Sequence, residues 1–423
     1  LWRLLTTFLL GQGASQVVRM VAGFLVIRWL TKDDYATFTL VLAIQGTSAV
    51  LVELGFSGGL LALIGKRFRD PEVAGRYIGA VRFYRTRLLL IGGTVLALVF
   101  AGLSFKYGWS PLFAGVLWLA VVASLAFEAK ASFYSPILEL HQKVKEMYVV
   151  DVGASLFRLA LLAFAQLLQI LTAPVALLIG AVQVMTSAAM SRRYASRFIR
   201  MPDPSEDLKP EKKELLQLTL PKIAGSVFFA FQGPVTVYLA GIFGQYTDMA
   251  ELGALNKIGM LFMVPGTFAG MLLVPWFAKQ EKGLLLRAYL AIMAVYAGFG
   301  VALAGAALLV PGLFLMVLGE GYQNLEWELF LFAISSSFSM LSGLSYQLTA
   351  CRKWVFYWTG PASIVGYLGI LVYFLAFVDL SVIANLIVLS ILNGVLLFLI
   401  HQVVFVVGYR RDPADEAEAD PAD

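Results

Sequence analysis

Charged and amide side chains stand inside the long apolar runs of this chain, and they are where chemistry could reside. The run 6–30 carries Gln12, Gln16 and Arg19, spaced four and three residues apart, which places them on one helical face. Gln45 and Glu53 lie in the second run, Glu128 and Lys130 in the fourth, and Asp151 and Arg158 in the fifth. Later runs hold Lys222 with Gln232, then Asn256 with Lys257. A charge at the centre of a bilayer costs about 2.5–3.5 kcal/mol on insertion scales, so such residues face a protein interior or a cavity. Arg19, Arg158, Lys222 and Lys257 are the deepest cations. If they converge, they make a cationic cavity in which Arg takes a phosphate in a bidentate grip and Lys acts as a point charge. Gln12, Gln16, Gln45, Gln232 and Asn256 would supply its polar wall. Two readings stand for the acids Glu53, Glu128 and Asp151: they bind a coupling ion, or they balance charge. Under the second, Arg19–Glu53 and Asp151–Arg158 are the expected structural pairs.

The elements that must position these residues are membrane helices. Apolar residues make up 60% of the 423, charged residues 14%, and mean hydropathy is +0.80. Soluble domains carry about 25% charge. Runs of about 18 or more apolar residues have one inexpensive explanation, because lipid offers the backbone no hydrogen-bond partner. The pattern predicts an all-α polytopic membrane protein with twelve spans near 6–30, 36–64, 86–105, 111–136, 148–170, 173–190, 215–242, 249–277, 285–310, 327–350, 355–378 and 381–407. Several exceed the bilayer requirement, so tilt or kinks are expected. Gly233-Pro234 forms a candidate hinge in the seventh span, and Pro265 and Pro361 are expected to kink the eighth and eleventh. The serines of the tenth span, Ser335 to Ser345, suit close helix packing.

Lys and Arg fix the expected orientation. They crowd the loops after spans 2, 4, 6, 8 and 10 and follow span 12, whereas the intervening loops hold only Arg28, Lys32 and Lys106. The alternation places both termini in the cytoplasm. The first hydrophobic run flows into a second, as in a chain inserted through its first span, and a few residues are expected before Leu1. A polar connection at 191–214 divides the chain into a six-helix lobe at 1–190 and another at 215–408, around a central cavity. Residues 409–423 form an acidic tail expected to be disordered. A weak echo joins the halves at an offset of 214, from Gly11 and Asp34 to Gly225 and Asp248. The single Cys351 and the separated His141 and His401 offer no disulfide framework and no metal site. The formal charge of +5 is modest, and neither a cofactor nor a nucleic-acid partner is expected.

Several motifs carry a resemblance. Leu10-Gly11-Gln12-Gly13, then Arg28-Trp29-Leu30-Thr31-Lys32-Asp33-Asp34-Tyr35-Ala36, then Glu53-Leu54-Gly55-Phe56, resemble the polysaccharide flippases of the multidrug/oligosaccharidyl-lipid/polysaccharide exporter superfamily. Ala36 stands where that family usually has Gly. Leu220-Pro221, the stretch Gly244 to Ala254, and Leu318-Gly319-Glu320-Gly321-Tyr322 are similar to family patterns in the second half. The resemblance spans nearly the whole chain. It implies a plasma-membrane flippase that carries polyprenyl-diphosphate-linked oligosaccharides from the cytoplasmic to the outer leaflet by alternating access. Such glycans feed O-antigen, capsule or exopolysaccharide assembly, so a polysaccharide polymerase or glycosyltransferases are expected partners; H+ or Na+ is the candidate coupling ion, which the resemblance does not settle. Membrane lipid surrounds it. One rival is a multidrug exporter of the same superfamily, although a cavity for cationic drugs favours acids and helix 1 offers Arg19. A membrane-embedded polymerase or glycosyltransferase is the other, and the short outer loops leave little room for its catalytic acids.

Overall fold

The computed structural model describes residues 2–203 and 206–411, with the side chains of 2–10, Gln12, Lys66, Lys222 and Met263 excepted. The expectations for the Gln12 and Lys222 side chains, and for the acidic tail from Asp412 on, therefore lie outside the described residues. All extended regular structure among those residues is helical. The chain divides into two compact units, Leu1–Val235 and Thr236–Asp423.

The first unit contains α1 (Trp2–Trp29), α2 (Lys32–Glu53), α3 (Phe56–Ile64), α4 (Pro71–Tyr107), α5 (Pro111–Leu140), α6 (Val144–Leu167), α7 (Ala173–Ala195), α8 (Lys209–Thr219) and α9 (Ile223–Gln232). Then follow α10 (Val235–Phe243), which opens at the boundary, α11 (Tyr246–Ile258), α12 (Met260–Phe268), α13 (Val274–Ala278), α14 (Lys282–Leu309), α15 (Pro311–Leu318), α16 (Glu326–Cys351), α17 (Thr359–Phe377) and α18 (Ile383–Arg410). Among the described residues, ten helical segments can cross a membrane by length and composition, and the bent pair α9/α10 makes eleven. With the 28-residue α1, each of the twelve expected spans corresponds to helix.

Starts and stops follow local chemistry. Thr31 caps α2 by accepting the Asp34 N–H at 3.2 Å. Asp70 caps α4, taking the N–H groups of Glu72 and Val73 at 3.0 and 3.4 Å, and Pro71 sits where no backbone donor is needed. Ser110 and Pro111 repeat that arrangement at α5.

Three boundaries differ from the sequence expectation. The second span is broken: Leu54 and Gly55 take left-handed backbone angles, φ 42° and 79°, and separate α2 from α3. The third helix begins fifteen residues before the expected 86, at Pro71. Its 37 residues extend about 55 Å against a hydrocarbon core of about 30 Å, so its basic first turns stand outside the lipid core. Hydropathy alone assigns those turns to a loop. The third difference is the connection 191–214, which contains a 3-10 turn at Ser196–Phe198 and the start of α8.

Two proline expectations also resolve. Pro361 lies in the first turn of α17, where its missing N–H is harmless, and it kinks nothing. Pro265 lies within α12, which passes into a π-helical segment at Ala269–Leu273, and its carbonyl accepts the Tyr296 hydroxyl at 2.7 Å. Gly233 and Pro234 separate α9 from α10. The connection between the ninth and tenth spans, near 311–326, holds α15 and a short 3-10 turn. At the other end α18 runs to Arg410, past the expected boundary of the tail.

In the second unit α16 packs between α14 and α18. Gly300 admits the Ser337 side chain, and Gly394 admits Phe338. Ser335, Ser342 and Ser345 are buried there, in keeping with small residues that let helices approach.

The segment from Ile199 to Thr219 is strapped to the protruding end of α4. Arg76 bonds Glu206 and, at 2.6 Å, Glu211. Tyr77 donates to Glu214, and Arg200 pairs with Glu72 at 2.8 Å. Leu215 enters a core with Leu60, Ile64, Ile78, Ile137 and Leu138. Gly75 is required by this contact: a Cβ there would lie 1.7 Å from the Arg200 carbonyl oxygen. Gly75→Ala is expected to cost about 1–3 kcal/mol, as overpacking does. Gly65→Ala, which meets open space, should stay within about 0.5 kcal/mol. Thermal melting of the two purified variants checks the difference, and equal melting would refute the strap's contribution.

Candidate functional site

The break in the second span builds the polar centre of the first unit. Because α2 stops at Glu53 and α3 restarts at Phe56, backbone N–H groups at the start of α3 lack helical partners. Glu53 satisfies one of them, accepting the Ser57 N–H through Oε1 at 2.7 Å. Its other oxygen accepts from Arg85 of α4. Arg85 is only 2% exposed. Its guanidinium also donates to the Ser57 hydroxyl at 3.0 Å, to the Ser132 hydroxyl, and to the Ala129 carbonyl at 3.3 Å. The Phe133 ring lies beneath it, 5.3 Å from Cζ to centroid. One donor, Nε, has no hydrogen-bond partner among the described residues.

Beside this cluster is a cavity of about 150 Å³, lined by Glu53, Ser57, Arg85, Glu128 and Ser132 among others. Its volume has room for several water molecules and is too small for a sugar diphosphate. Glu128 projects to it and makes no hydrogen bond or ion pair among the described residues. Two carboxylates thus share one guanidinium, and only Glu53 is bonded to it. Glu128 is exposed at the mouth of this cavity and acts on Arg85 only through space, which leaves its carboxylate open to a proton or a small cation. No cluster of three metal-ligating side chains occurs among the described residues.

The expected ion pairs are exchanged. Arg19 pairs with Asp151 at 3.4 Å, not with Glu53, and Ser15 donates to the same carboxylate. Asp151 consequently does not pair with Arg158, which instead donates to the neutral Gln183 of α7 at 3.2 Å. The reason is packing: α1 lies against α6, which brings Arg19 to Asp151, whereas α2 presents Glu53 to α4. Arg158 lies seven residues beyond Asp151, about 10 Å along the α6 axis, and turns toward α7. No acid is bonded to it among the described residues, and its Nε is buried without a partner.

The remaining candidates disperse. Gln16, Gln45 and Gln232 are half-buried on α1, α2 and α9, and Asn256 is exposed on α11. Lys257 is half-buried on α11 in the second unit, and Lys130 is exposed with its ammonium 5.2 Å from the Phe127 ring centroid. Arg85 escaped the sequence reading because it was counted among loop charges. Its signal was Asp70-Pro71, a helix start that carries the following arginines inward. A second overlooked group is in the other unit, where the Tyr289 hydroxyl bridges Ser345 at 2.7 Å and Gln402 at 2.8 Å.

No protein-family model matches this sequence, and no curated protein does. Solved structures match over nearly the full length. A multidrug resistance MATE family transporter of the MOP superfamily, in its inward-facing conformation, aligns at TM-score 0.64 and 14% identity, covering 96% of both chains. A mutant of the Vibrio cholerae MATE transporter VcmN aligns at 0.56 and 14%, covering 97% of this chain and 98% of that one. A MOP superfamily transporter from Pyrococcus furiosus aligns at 0.58 and 14%, covering 98% and 95%. That protein is described as having a binding pocket of reversed polarity that suggests a different function. At such identity the likeness is one of fold: this chain has the fold of the MATE transporters, which are represented in inward-facing, outward-facing and bent conformations. The likeness shows the fold alone and does not reach the polysaccharide-flippase branch suggested by the motifs.

The Arg85 cluster generates a paired expectation. Arg85→Met leaves Glu53 without its counter-ion and should destabilise the protein by about 3–5 kcal/mol. Adding Glu53→Gln should recover at least half of that loss. Thermal melting in one detergent checks both, and a double variant no better than the single would show that the two side chains are not coupled.

Proposed function

We propose that this chain is an alternating-access transporter for an anionic amphiphile, a polyprenyl-diphosphate-linked oligosaccharide, moved from the cytoplasmic to the outer leaflet of the plasma membrane. The carrying observation is Arg158: a full positive charge near the middle of the 24-residue α6, held only by a neutral amide among the described residues. A cationic drug would be repelled there, whereas a diphosphate would supply the missing negative charge. Arg19 adds a second cation on the adjacent helix, half-exposed and partly balanced by Asp151. Lys222 and Lys257 complete the proposed set of phosphate ligands. Both termini are proposed to be cytoplasmic, from the distribution of Lys and Arg, and Gly233-Pro234 is the proposed hinge. Glycan-assembling enzymes are the proposed partners.

The acids then divide by role. Asp151 balances Arg19 and Glu53 balances Arg85, whereas Glu128 faces the cavity unpaired and is the proposed site of H+ or Na+ coupling. Coupling at Glu128 requires only that its charge be neutralised in one conformation and restored in the other.

A second reading, a cation-coupled multidrug exporter, has specific support because solved neighbours include multidrug resistance transporters. One experiment separates the two. Proteoliposomes are loaded with a short-chain polyprenyl-diphosphate oligosaccharide, and a membrane-impermeant glycosidase reports its arrival on the other leaflet. Efflux of a lipophilic cation such as ethidium is measured in parallel. We expect glycan transfer without ethidium efflux, and at least a tenfold loss of transfer in Arg158→Gln with folding intact. Ethidium efflux without glycan transfer would establish the exporter instead. For Glu128→Gln we expect glycan exchange without a gradient to persist while acceleration by a pH or sodium gradient disappears. Undiminished acceleration would remove Glu128 from the coupling role.

A further inference from the structure

We propose that α4 and α8 form a binding site for the phosphate headgroup of an anionic phospholipid, built from Arg87 and Lys212 around the Phe83 ring. The Arg87 Cζ and the Lys212 Nζ each lie 3.8 Å from the Phe83 centroid. The two positive centres therefore sit against one ring, at most about twice that distance apart, and add their charge to a single surface patch. Tyr84 holds the second cation in place by donating its hydroxyl to the Lys212 carbonyl at 3.3 Å.

Neither cation has an acid partner among the described residues, although acids are plentiful nearby. Arg76 takes both Glu206 and Glu211, and Arg200 takes Glu72. The strap thus neutralises the cations nearest the start of α4 and leaves the two beside Phe83 uncompensated. An aromatic face attracts each cation but removes no charge, so the pair repels itself until an anion arrives.

The position along α4 identifies that anion as a lipid. Arg87 is the last charge before the apolar run that opens at Leu88. Leu90, Ile91, Val95 and Leu98 follow it at spacings of three, four, eight and eleven, which is one helical face. All four are exposed, Leu90 to 68% and Leu98 to 72%. A headgroup held by Arg87 and Lys212 therefore has its acyl chain laid along this stripe. A free phosphate would use the cations and leave the stripe unused. The site lies on the outside of the first unit, distinct from the cargo residues on α1 and α6, and does not depend on what the cargo is.

Native mass spectrometry of the full-length protein in detergent, titrated with phosphatidylglycerol or phosphatidylcholine, tests the proposal. Wild type should bind phosphatidylglycerol at least about tenfold more tightly. Arg87→Gln/Lys212→Gln should lose that preference, whereas Lys143→Gln/Lys145→Gln, which removes the same charge elsewhere, should keep it. Arg87→Lys should retain most of it, and each single Gln variant should lose part, which serves if the double variant does not fold. Equal binding of the two lipids by wild type, or an intact preference in the double variant, would overturn the site. Inorganic phosphate at matched concentration should not displace the lipid, and full displacement would mean a free-phosphate site instead.

Discussion

The burial of one guanidinium organises the first unit. Arg85 brings a permanent charge into a helical interior, and a charge there is tolerated only with a counter-ion and a nearly complete set of hydrogen-bond acceptors. Three helices contribute to that set: Glu53 from the end of α2, Ser57 from α3, and Ser132 with the Ala129 carbonyl from α5. Glu53 can serve both Arg85 and the start of α3 only because the helix breaks immediately after it. The left-handed turn at Leu54-Gly55 is thus tied to the ion pair. A continuous helix through this region would carry the carboxylate but would expose no N–H group at Ser57 for it to accept.

The same constraint explains the length of α4. Arg85 must come from a helix already formed well before the lipid core, which is why Asp70 and Pro71 start it early. An extended helix end projecting from the membrane has polar flanks to satisfy, and the strap of residues 199–219 supplies acids for them. Buried Leu215 anchors the strap, and Gly75 lets its backbone close on α4. The polar connection between the two halves of the sequence is therefore packed structure belonging to the first unit.

Spans were legible in the sequence because the bilayer imposes a single-residue-type rule over twenty positions, and chance rarely produces that pattern. The helix ends were less legible. A hydropathy window cannot distinguish a basic loop from a basic helix that stands in the headgroup region, so the first turns of α4 read as loop. Charges inside the spans were legible as a set, and their pairing was not. Arg19 and Asp151 are 132 residues apart, Glu53 and Arg85 only 32, and spacing says nothing of which helices touch. Once α1 lies on α6, Asp151 is the acid within reach of Arg19, and Arg158 is left to an amide.

Fold and cargo answer to different residues, which is why a shared fold leaves the cargo open. At 14% identity the MATE fold is retained over 96% of the chain because its requirements are coarse: apolar faces toward lipid, small residues where helices cross, breaks at Gly and Pro. Many sequences meet those terms. The sign of charge inside the spans is set by few residues, and changing them leaves the lipid-facing surfaces untouched. One neighbour of the same fold is described as having a binding pocket of reversed polarity that suggests a different function. In the present chain the first unit carries Arg19, Arg85 and Arg158 inside its spans, with Asp151 and Glu53 bonded to the first two. The third has no acid bonded to it among the described residues, and Glu128 has no cation bonded to it. These two side chains lie on different helices, α6 and α5, and Glu128 meets Arg85 only through space. Under the proposed function, Arg158 would meet an anionic cargo and Glu128 a proton or cation, the two kinds of ligand that gradient-driven movement of a charged cargo requires.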